Sequence, residues 1–206
     1  MASTRSAAKQ ARGRARLQSR KEALLEAAKE LFAEYGYSET TFKKISERAG
    51  VALGLLTHHY GNKEKLFLAS GLDVLANFQA CLEEAVAGAA NGFEAVMRFC
   101  KAYLDFSISP RSSWLVLVRC SPYSDMKTHS DRKQMDESFA VIHNLLADQI
   151  RRGVADGSLI ALEPDVGAQV IISTLVGANR TVALTPYGDE NLFGETLAFI
   201  SRGIKK

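Results

Sequence analysis

The stretch that decides the fold is residues 41–60, which read TFKKISERAGVALGLLTHHY. Apolar residues recur at helical spacing up to Ala49, and Gly50 follows them as a stop signal. A second short helix is predicted from about residue 53 to residue 60, directly after Val51. Two short helices joined in this way predict a helix-turn-helix unit, whose second helix enters the major groove of DNA while the first braces it. Many all-helical proteins contain such a pair, so the pattern alone is weak evidence.

Basic residues are concentrated in the first third of the chain. Residues 1–65 carry 13 basic and 7 acidic side chains, whereas the rest of the chain carries 13 and 16. Residues 1–21 contain no acid. This asymmetry favours a basic segment that meets a polyanion such as nucleic acid, although a solubilising tail would look similar. Residues 1–17 lack large apolar side chains except Leu17, so we expect a mobile tail there.

Helical patterns continue beyond this segment. A capping box at residues 19–22 predicts the start of the first long helix, and Asn62 and Asn91 are expected to cap later ones. Pro164 has a first-turn position in an apolar helix that ends near residue 184, and a last helix is predicted over 189–204. Sustained alternation of period two is absent from the sequence, so we predict an all-α fold.

Several classes of protein are excluded at this point. The longest apolar stretch, residues 170–184, is interrupted by Asn179 and Arg180 and falls short of the roughly 20 residues that span a bilayer, so no membrane partner is expected. The sequence contains no nucleophile–base spacing, no glycine-rich phosphate loop and no paired carboxylates in a metal pattern. We therefore expect neither enzyme activity nor a cofactor.

The cysteines and histidines give no sign of a metal or disulfide framework. Cys81, Cys100 and Cys120 are odd in number and far apart, which favours a reducing cytoplasm. Buried structural thiols are the favoured interpretation, and a redox sensor is the alternative. His58 and His59 are adjacent but have no carboxylate or cysteine at metal-ligand spacing, so no metal site is expected.

Residues 23–67 resemble the DNA-binding domain of the TetR/AcrR family of bacterial transcriptional regulators. The residues that carry the resemblance are Ala28, Leu31, Phe32, Gly36, Tyr37, Thr41, Ile45, Ala49, Gly50, Val51, Gly54, Leu56, His59, Tyr60, Lys63, Glu64, Lys65 and Leu66. The resemblance implies a DNA-binding domain at residues 18–65 after the tail of residues 1–17. It also implies an all-helical effector-binding and dimerising domain at residues 66–206.

The resemblance further implies DNA contacts on both short helices and just beyond them. The candidates are Thr41, Lys43, Lys44, Leu53, Gly54, Leu55, Thr57, His58, His59 and Lys63. The chain departs from the family at Ala52, where a capping Ser or Thr is common, and at Thr57, where a Tyr is frequent. Leu53 and Leu55 cannot hydrogen-bond a base, although either could touch a thymine methyl. Direct base readout is therefore expected to be sparse, with DNA shape and the basic tail contributing more.

The C-terminal body has the side chains that a small-molecule pocket needs, namely large apolar walls with a few polar groups. The candidates are Phe99, Tyr103, Phe106, Trp114, Tyr123, Phe139, His143, Asn179 and Arg180. Each of them could equally be ordinary core or surface. Arg180 lies in an apolar helix, so we expect it to need an anion from a ligand or from a partner subunit.

We therefore predict a cytoplasmic transcriptional regulator that binds a palindromic double-stranded DNA operator as a homodimer. The two subunits are expected to meet through the helices at 164–184 and 189–204. A small-molecule effector of unknown identity would release the DNA, which is the behaviour of a repressor, although an activator would use the same motif. The alternative is a nonspecific architectural DNA-binding protein driven by the basic tail.

Overall fold

The computed structural model describes residues 2–109, 114–119, 129–189 and 191–206. The described residues are mostly helical and form no strand, which confirms the all-α prediction. The helices are α1 (Ala2–Glu39), α2 (Phe42–Ala49), α3 (Leu53–Tyr60), α4 (Lys63–Val86), α5 (Gly92–Ile108), α6 (Leu115–Arg119), α7 (His129–Asp156), α8 (Pro164–Leu184) and α9 (Asn191–Ile204).

The chain divides into two units. The first comprises Met1–Asp73 and Leu115–Thr128, and the second comprises Val74–Trp114 and His129–Lys206. The division into compact units falls after Asp73, inside α4, and the boundary between functional domains at residue 65 stays a prediction. Helix α6 joins the first unit because Val116 on it belongs to that unit's apolar core.

Helix α1 begins earlier than the sequence predicts. The backbone of residues 2–17 is helical and continues α1, so the capping box at Ser19 does not start a helix. The mobility of residues 1–17 stays a prediction. This stretch is rich in Ala and Arg, which are strong helix formers. Gly36 has a φ of +76° and interrupts the helical backbone of α1, in keeping with its predicted role as a stop signal.

The core of the first unit is closed by aromatic rings. Phe32 is fully buried, and the centroid of its ring lies 5.1 Å from that of Phe67 and 6.2 Å from that of Tyr37. The buried residues of this cluster are Leu24, Ala27, Ala28, Leu31, Phe32, Ile45, Leu56, Tyr60, Leu66, Phe67 and Val116. Because the cluster includes Ile45 of α2 and Leu56 of α3, it fixes the geometry of the helix-turn-helix pair.

In the second unit, α5 and α7 touch backbone to backbone. A Cβ atom on Gly92 would lie 2.1 Å from the Cα atom of Gly153, a distance that side chains do not reach. The first amides of α5 are satisfied beside this crossing. Asp156 accepts a hydrogen bond from the Gly92 amide at 2.8 Å, and the hydroxyl of Ser158 accepts one from the Phe93 amide at 3.0 Å. Both the missing side chains and these bonds hold the two helices at close range.

We expect the substitution Gly92→Ala to destabilise the second unit. The added methyl group meets backbone atoms that cannot rotate away, so we estimate a loss of about 2–3 kcal/mol. Chemical denaturation followed by circular dichroism measures this loss. Gly177→Ala is the matched control, since its Cβ would have no atom within 4 Å and alanine favours a helix. Equal stability of the two variants would contradict the close crossing.

Helices α8 and α9 leave several apolar side chains exposed. Val166, Val170 and Phe199 are 57%, 60% and 67% exposed. Together with buried Ile171 and Ile200 they line a groove of about 260 Å³. Among the described helices, none combines the length and the apolar character that crossing a bilayer requires. The groove is therefore an apolar surface of the second unit that a protein partner could cover.

Candidate functional site

Helix α3 presents one exposed face. Leu53, Gly54, Thr57 and His58 are exposed on it, whereas Leu56 and Tyr60 are buried on the opposite face. Four of the predicted DNA contacts are thus brought together on the helix that is expected to enter the major groove. The side chain of Leu55 is half-buried at the edge of this face.

The exposed face of α3 offers few side-chain groups that can hydrogen-bond to DNA bases. The Thr57 hydroxyl already donates to the carbonyl of Leu53 at 3.3 Å, and no side chain caps the start of α3 at Ala52. Gly54 leaves room for close approach, because a Cβ there would have no atom within 4 Å. Leu53 is 47% exposed and can contact a thymine methyl, while His58 can donate to a base or a phosphate. The face therefore suits shape and methyl recognition more than dense base readout.

Helix α2 places the other basic candidates at its start. Thr41 caps the helix, since its hydroxyl accepts a hydrogen bond from the Lys44 amide at 3.3 Å. The Lys44 ammonium donates to the carbonyl of Glu39 at 2.9 Å and lies 5.1 Å from the ring centre of Tyr35. Lys43 is exposed, and its pair with a neighbouring carboxylate on α2 is long at 4.0 Å. A pair this exposed contributes little, so Lys43 is available to a phosphate.

Two predicted DNA contacts are instead turned toward the protein. The Lys63 ammonium donates to the carbonyls of Tyr37 and Thr40 at 2.9 and 3.1 Å and lies 4.3 Å from the Tyr37 ring centre. These carbonyls follow the break at Gly36 and need donors, which explains why the lysine is recruited. The Nε2 atom of His59 is shielded from solvent and has no hydrogen-bond partner within the described part of the chain. In this structure both residues lie off the exposed face of α3, and their contacts with DNA stay predictions.

Ion pairs between helices of the first unit were not predicted from the sequence. Arg48 on α2 pairs with Glu30 at 2.9 Å and with Glu34 at 3.7 Å, both on α1. Lys29 is buried and bonds to Asp73 at 2.6 Å. Burial lowers the pKa of Lys29, but its hydrogen bonds to carboxylates outweigh burial and leave that pKa above its ordinary value. These pairs link α1 to α2 and to α4, and only the tertiary structure reveals them.

The second unit contains a cluster of aromatic rings. The ring centroid of Phe78 lies 4.9 Å from those of Tyr103 and Trp114 and 5.0 Å from that of Phe106. The structure therefore brings three predicted pocket residues together and adds Phe78 of α4, which was not among the predicted pocket residues. Phe99 is fully buried beside them, with its ring centroid 6.4 Å from that of Tyr103.

Asn179 supplies a buried polar group in the same unit. It is 3% exposed, and its Oδ1 atom lies 2.6 Å from the Ser107 hydroxyl. Ser107 also lies 2.6 Å from the carbonyl of Leu104, so its single proton serves one of the two acceptors. The Nδ2 atom of Asn179 is buried without a hydrogen-bond partner among the described residues. Ser107 was missed, although its i+4 spacing from Tyr103 on α5 places both on one face.

The other predicted pocket residues lie elsewhere or outside the described ranges. His143 faces the start of α8, with its Nε2 atom 3.2 Å from the carbonyl of Asp165. Arg180 is exposed on α8 of the single chain, where water can solvate it, and its anion from a ligand or a partner subunit stays a prediction. Phe139 is half-buried on α7. Tyr123 lies outside the described residues.

The two described cysteines are protonated thiols at neutral pH. Cys100 is fully buried, and burial raises its pKa to about 12. The pKa of Cys81 is also raised, first by burial and then by Glu84 and Asp105. Both therefore lack the thiolate that a redox sensor needs, and Cys120 lies outside the described residues. In the described ranges, no three His, Cys, Asp or Glu side chains group as metal ligands.

An exposed helix-turn-helix face in the unit that holds the basic segment, together with a second all-helical unit, defines the class of helix-turn-helix DNA-binding regulators. The sequence profile described as "Bacterial regulatory proteins, tetR family" matches residues 24–70. A transcriptional repressor named AcnR from Corynebacterium diphtheriae is 33% identical over 144 residues, which cover 69% of this chain and 70% of that protein. The chain therefore belongs to the tetR family, which confirms the predicted resemblance.

A second sequence relative supports the family assignment, and a solved structure supports the fold. The repressor AcnR of Corynebacterium efficiens is 39% identical over 75 residues, so the match covers 36% of this chain and only 37% of that relative. The solved structure of a transcriptional regulator from Saccharomonospora viridis in complex with choline superposes with a TM-score of 0.81 at 18% identity. That match covers 92% of this chain and 98% of the other, and it supports the two-part helical fold.

Proposed function

We propose that the protein is a ligand-released transcriptional repressor that acts in the cytoplasm and binds a palindromic operator as a homodimer. The observation that carries the proposal is the exposed face of α3 formed by Leu53, Gly54, Thr57 and His58. Membership of the tetR family supports it, because the two AcnR relatives are named transcriptional repressors. The proposal includes no catalytic step and no cofactor.

Fluorescence anisotropy tests the proposal directly. The full chain is titrated against the DNA upstream of its own gene and against a scrambled duplex at about 0.15 M salt. We expect binding to the upstream DNA to be at least ~10³-fold tighter, which is the range of specific recognition. Equal binding to both duplexes would contradict self-regulation at that DNA. If duplexes selected from a random pool are also bound no more tightly than the scrambled duplex, the result favours the alternative of a nonspecific architectural DNA-binding protein.

We propose that the homodimer forms through the groove of α8 and α9. Phe199 is the most exposed apolar side chain of that groove, and a second copy of the chain would cover it. Two-fold pairing would also present two α3 helices to the half-sites of a palindrome. The proposal retains the two C-terminal helices as the interface predicted from the sequence.

We expect Phe199→Glu to weaken the dimer by at least ~100-fold in dissociation constant. A charge buried at the centre of an apolar interface has no partner, and loss of an aromatic anchor adds to the effect. Sedimentation velocity over a concentration series measures the monomer–dimer balance. Val141→Glu is the control, because this exposed residue of α7 does not line the groove. A Phe199→Glu protein that remains dimeric would refute this interface.

We further propose that the effector binds at the aromatic cluster and uses Asn179. The Nδ2 atom of Asn179 is a buried hydrogen-bond donor without a described partner, which is energetically costly. It therefore favours a ligand with a hydroxyl or amide group that can accept this hydrogen bond. The rings of Tyr103, Phe106 and Trp114 suit an aromatic or cationic body. Choline combines a hydroxyl with a quaternary ammonium, so it belongs in the first panel of compounds, together with benzyl alcohol.

We expect Asn179→Leu to weaken the binding of an active compound by about tenfold. The loss corresponds to one hydrogen bond of roughly 1.4 kcal/mol between the amide and the ligand. Unliganded stability should change little, because the substitution removes the buried Nδ2 atom that has no described partner, while the Ser107 hydroxyl that loses Oδ1 keeps the Leu104 carbonyl as its acceptor. Thermal-shift titrations measure both quantities. Asn144→Leu, an exposed amide on α7, is the control, and equal affinity in all three proteins would exclude Asn179 from the site.

A further inference from the structure

The N-terminal part of α1 carries a regular arrangement of basic positions. Arg5, Lys9, Arg12 and Arg16, which we call the basic stripe, are separated by four, three and four residues. At about 100° per residue of helix, these positions fall within a sector of about 60°. Arg14 falls on the opposite side of the same helix. The four positions of the basic stripe therefore share one face of the helix. A disordered tail would not require this spacing.

This part of α1 starts beside the end of the recognition helix. The Tyr60 hydroxyl, at the last residue of α3, donates to the carbonyl of Lys21 at 3.2 Å. The Lys21 ammonium lies 6.0 Å from the Tyr60 ring centre. From this contact the helix continues toward Ala2, over a length of about 28 Å for residues 2–20. DNA bound by α3 would thus lie next to the end of the basic stripe that is closest to Lys21.

The composition of the segment indicates that it needs a polyanionic partner. Residues 1–21 contain no acid to neutralise the stripe, and Leu17 is the only large apolar residue after Met1 in residues 1–17. A helix of this length without an apolar face is marginal in water by itself. Phosphates would neutralise the charges that repel one another and would stabilise the helical form.

We propose that the basic stripe binds the phosphate backbone of the duplex beside the operator half-site, as one face of a helix. The inference rests on the proposed DNA binding by α3, which places the duplex within reach. The contacts are sequence-independent, so they extend the footprint and raise affinity without changing base preference. Each neutralised phosphate adds about 0.9 to the slope of log affinity against log salt.

A charge-shuffled variant tests the stripe without changing composition. It combines Ala11→Arg with Arg12→Ala and Ala15→Arg with Arg16→Ala, which moves two charges by about 100° around the helix. We expect at least a tenfold loss of affinity for a mixed-sequence duplex at about 0.05 M salt, and a salt slope smaller by about 1.8 per protomer. Anisotropy measures both. Unchanged affinity and slope would overturn the proposal, because a disordered tail is indifferent to the shuffle.

Two further measurements separate this proposal from that of operator recognition. Gly13→Ala strengthens the helix, so affinity should rise by up to about fivefold if the bound segment is helical, and a fall in affinity would contradict it. Selection from random duplexes with the full chain reports on α3 instead. If no sequence is enriched while the shuffle still weakens binding, operator recognition fails and the stripe stands.

Discussion

Replacing Gly54 with glutamate is expected to lower operator affinity by at least about 100-fold while the protein stays folded. The substitution puts a carboxylate on the exposed face of α3, where it meets phosphates and the negative potential of the groove. Stability should not fall, because a Cβ at this position has no atom within 4 Å. Glutamate also has a higher helix propensity than glycine, and its negative charge in the first turn of α3 interacts favourably with the helix dipole.

Anisotropy with the operator and a thermal melt of the same sample measure the two effects. Gly54→Gln is the matched control, since it has the same size without the charge and should lose less affinity. Lys63→Glu gives the contrasting pattern: it removes two hydrogen bonds to carbonyls of the first unit, at a cost of about 2–3 kcal/mol, so stability and binding fall together. Operator binding that survives Gly54→Glu would remove α3 as the recognition helix.

Truncating Phe32 to alanine is expected to destabilise the first unit by about 3–5 kcal/mol. The ring is fully buried and contacts Phe67 and Tyr37 at the centre of the cluster that holds Ile45 and Leu56. The cavity left behind separates α1 from the helix-turn-helix pair. DNA binding should therefore be lost at temperatures where the native protein is still folded.

Urea denaturation followed by circular dichroism, together with DNA binding over a temperature series, measures this loss. Tyr35→Ala on the same helix is the control, because that ring is 46% exposed and its removal should cost well under 1 kcal/mol. A Phe32→Ala protein with native stability would show that the aromatic cluster does not hold the unit together.

The helix-turn-helix unit was predictable from sequence because its signals are local. Glycine at position 50 takes the left-handed conformation with a φ of +62°, and Asn62 accepts a hydrogen bond from the Lys65 amide at 2.9 Å, as caps should. The predicted helix at 164–184 matches α8 in full, and Asn91 caps α5 by accepting from the Glu94 amide at 2.9 Å. Caps and periodicity involve neighbours in the chain, so tertiary structure did not alter them.

The roles of individual polar side chains were not predictable in the same way. Lys63 serves carbonyls 23 and 26 residues earlier in the chain, and Asn179 meets Ser107 from 72 residues away. Arg180 lies on an apolar helix but on its exposed side, which the average composition of the helix concealed. The start of α1 was misplaced for a different reason, since the capping signal at Ser19 competes with strong helix formers on both sides.

The backbone contact of Gly92 with Gly153 has a consequence for motion within the second unit. At the contact of these two glycines no side chain lies between the helices, so this point has no rotamers to rearrange and cannot adapt gradually to a ligand. Amide protons around it should exchange with solvent only when the whole unit unfolds. Movements on a faster timescale must therefore be carried by the contacts of α4, α8 and α9, where side chains can change conformation.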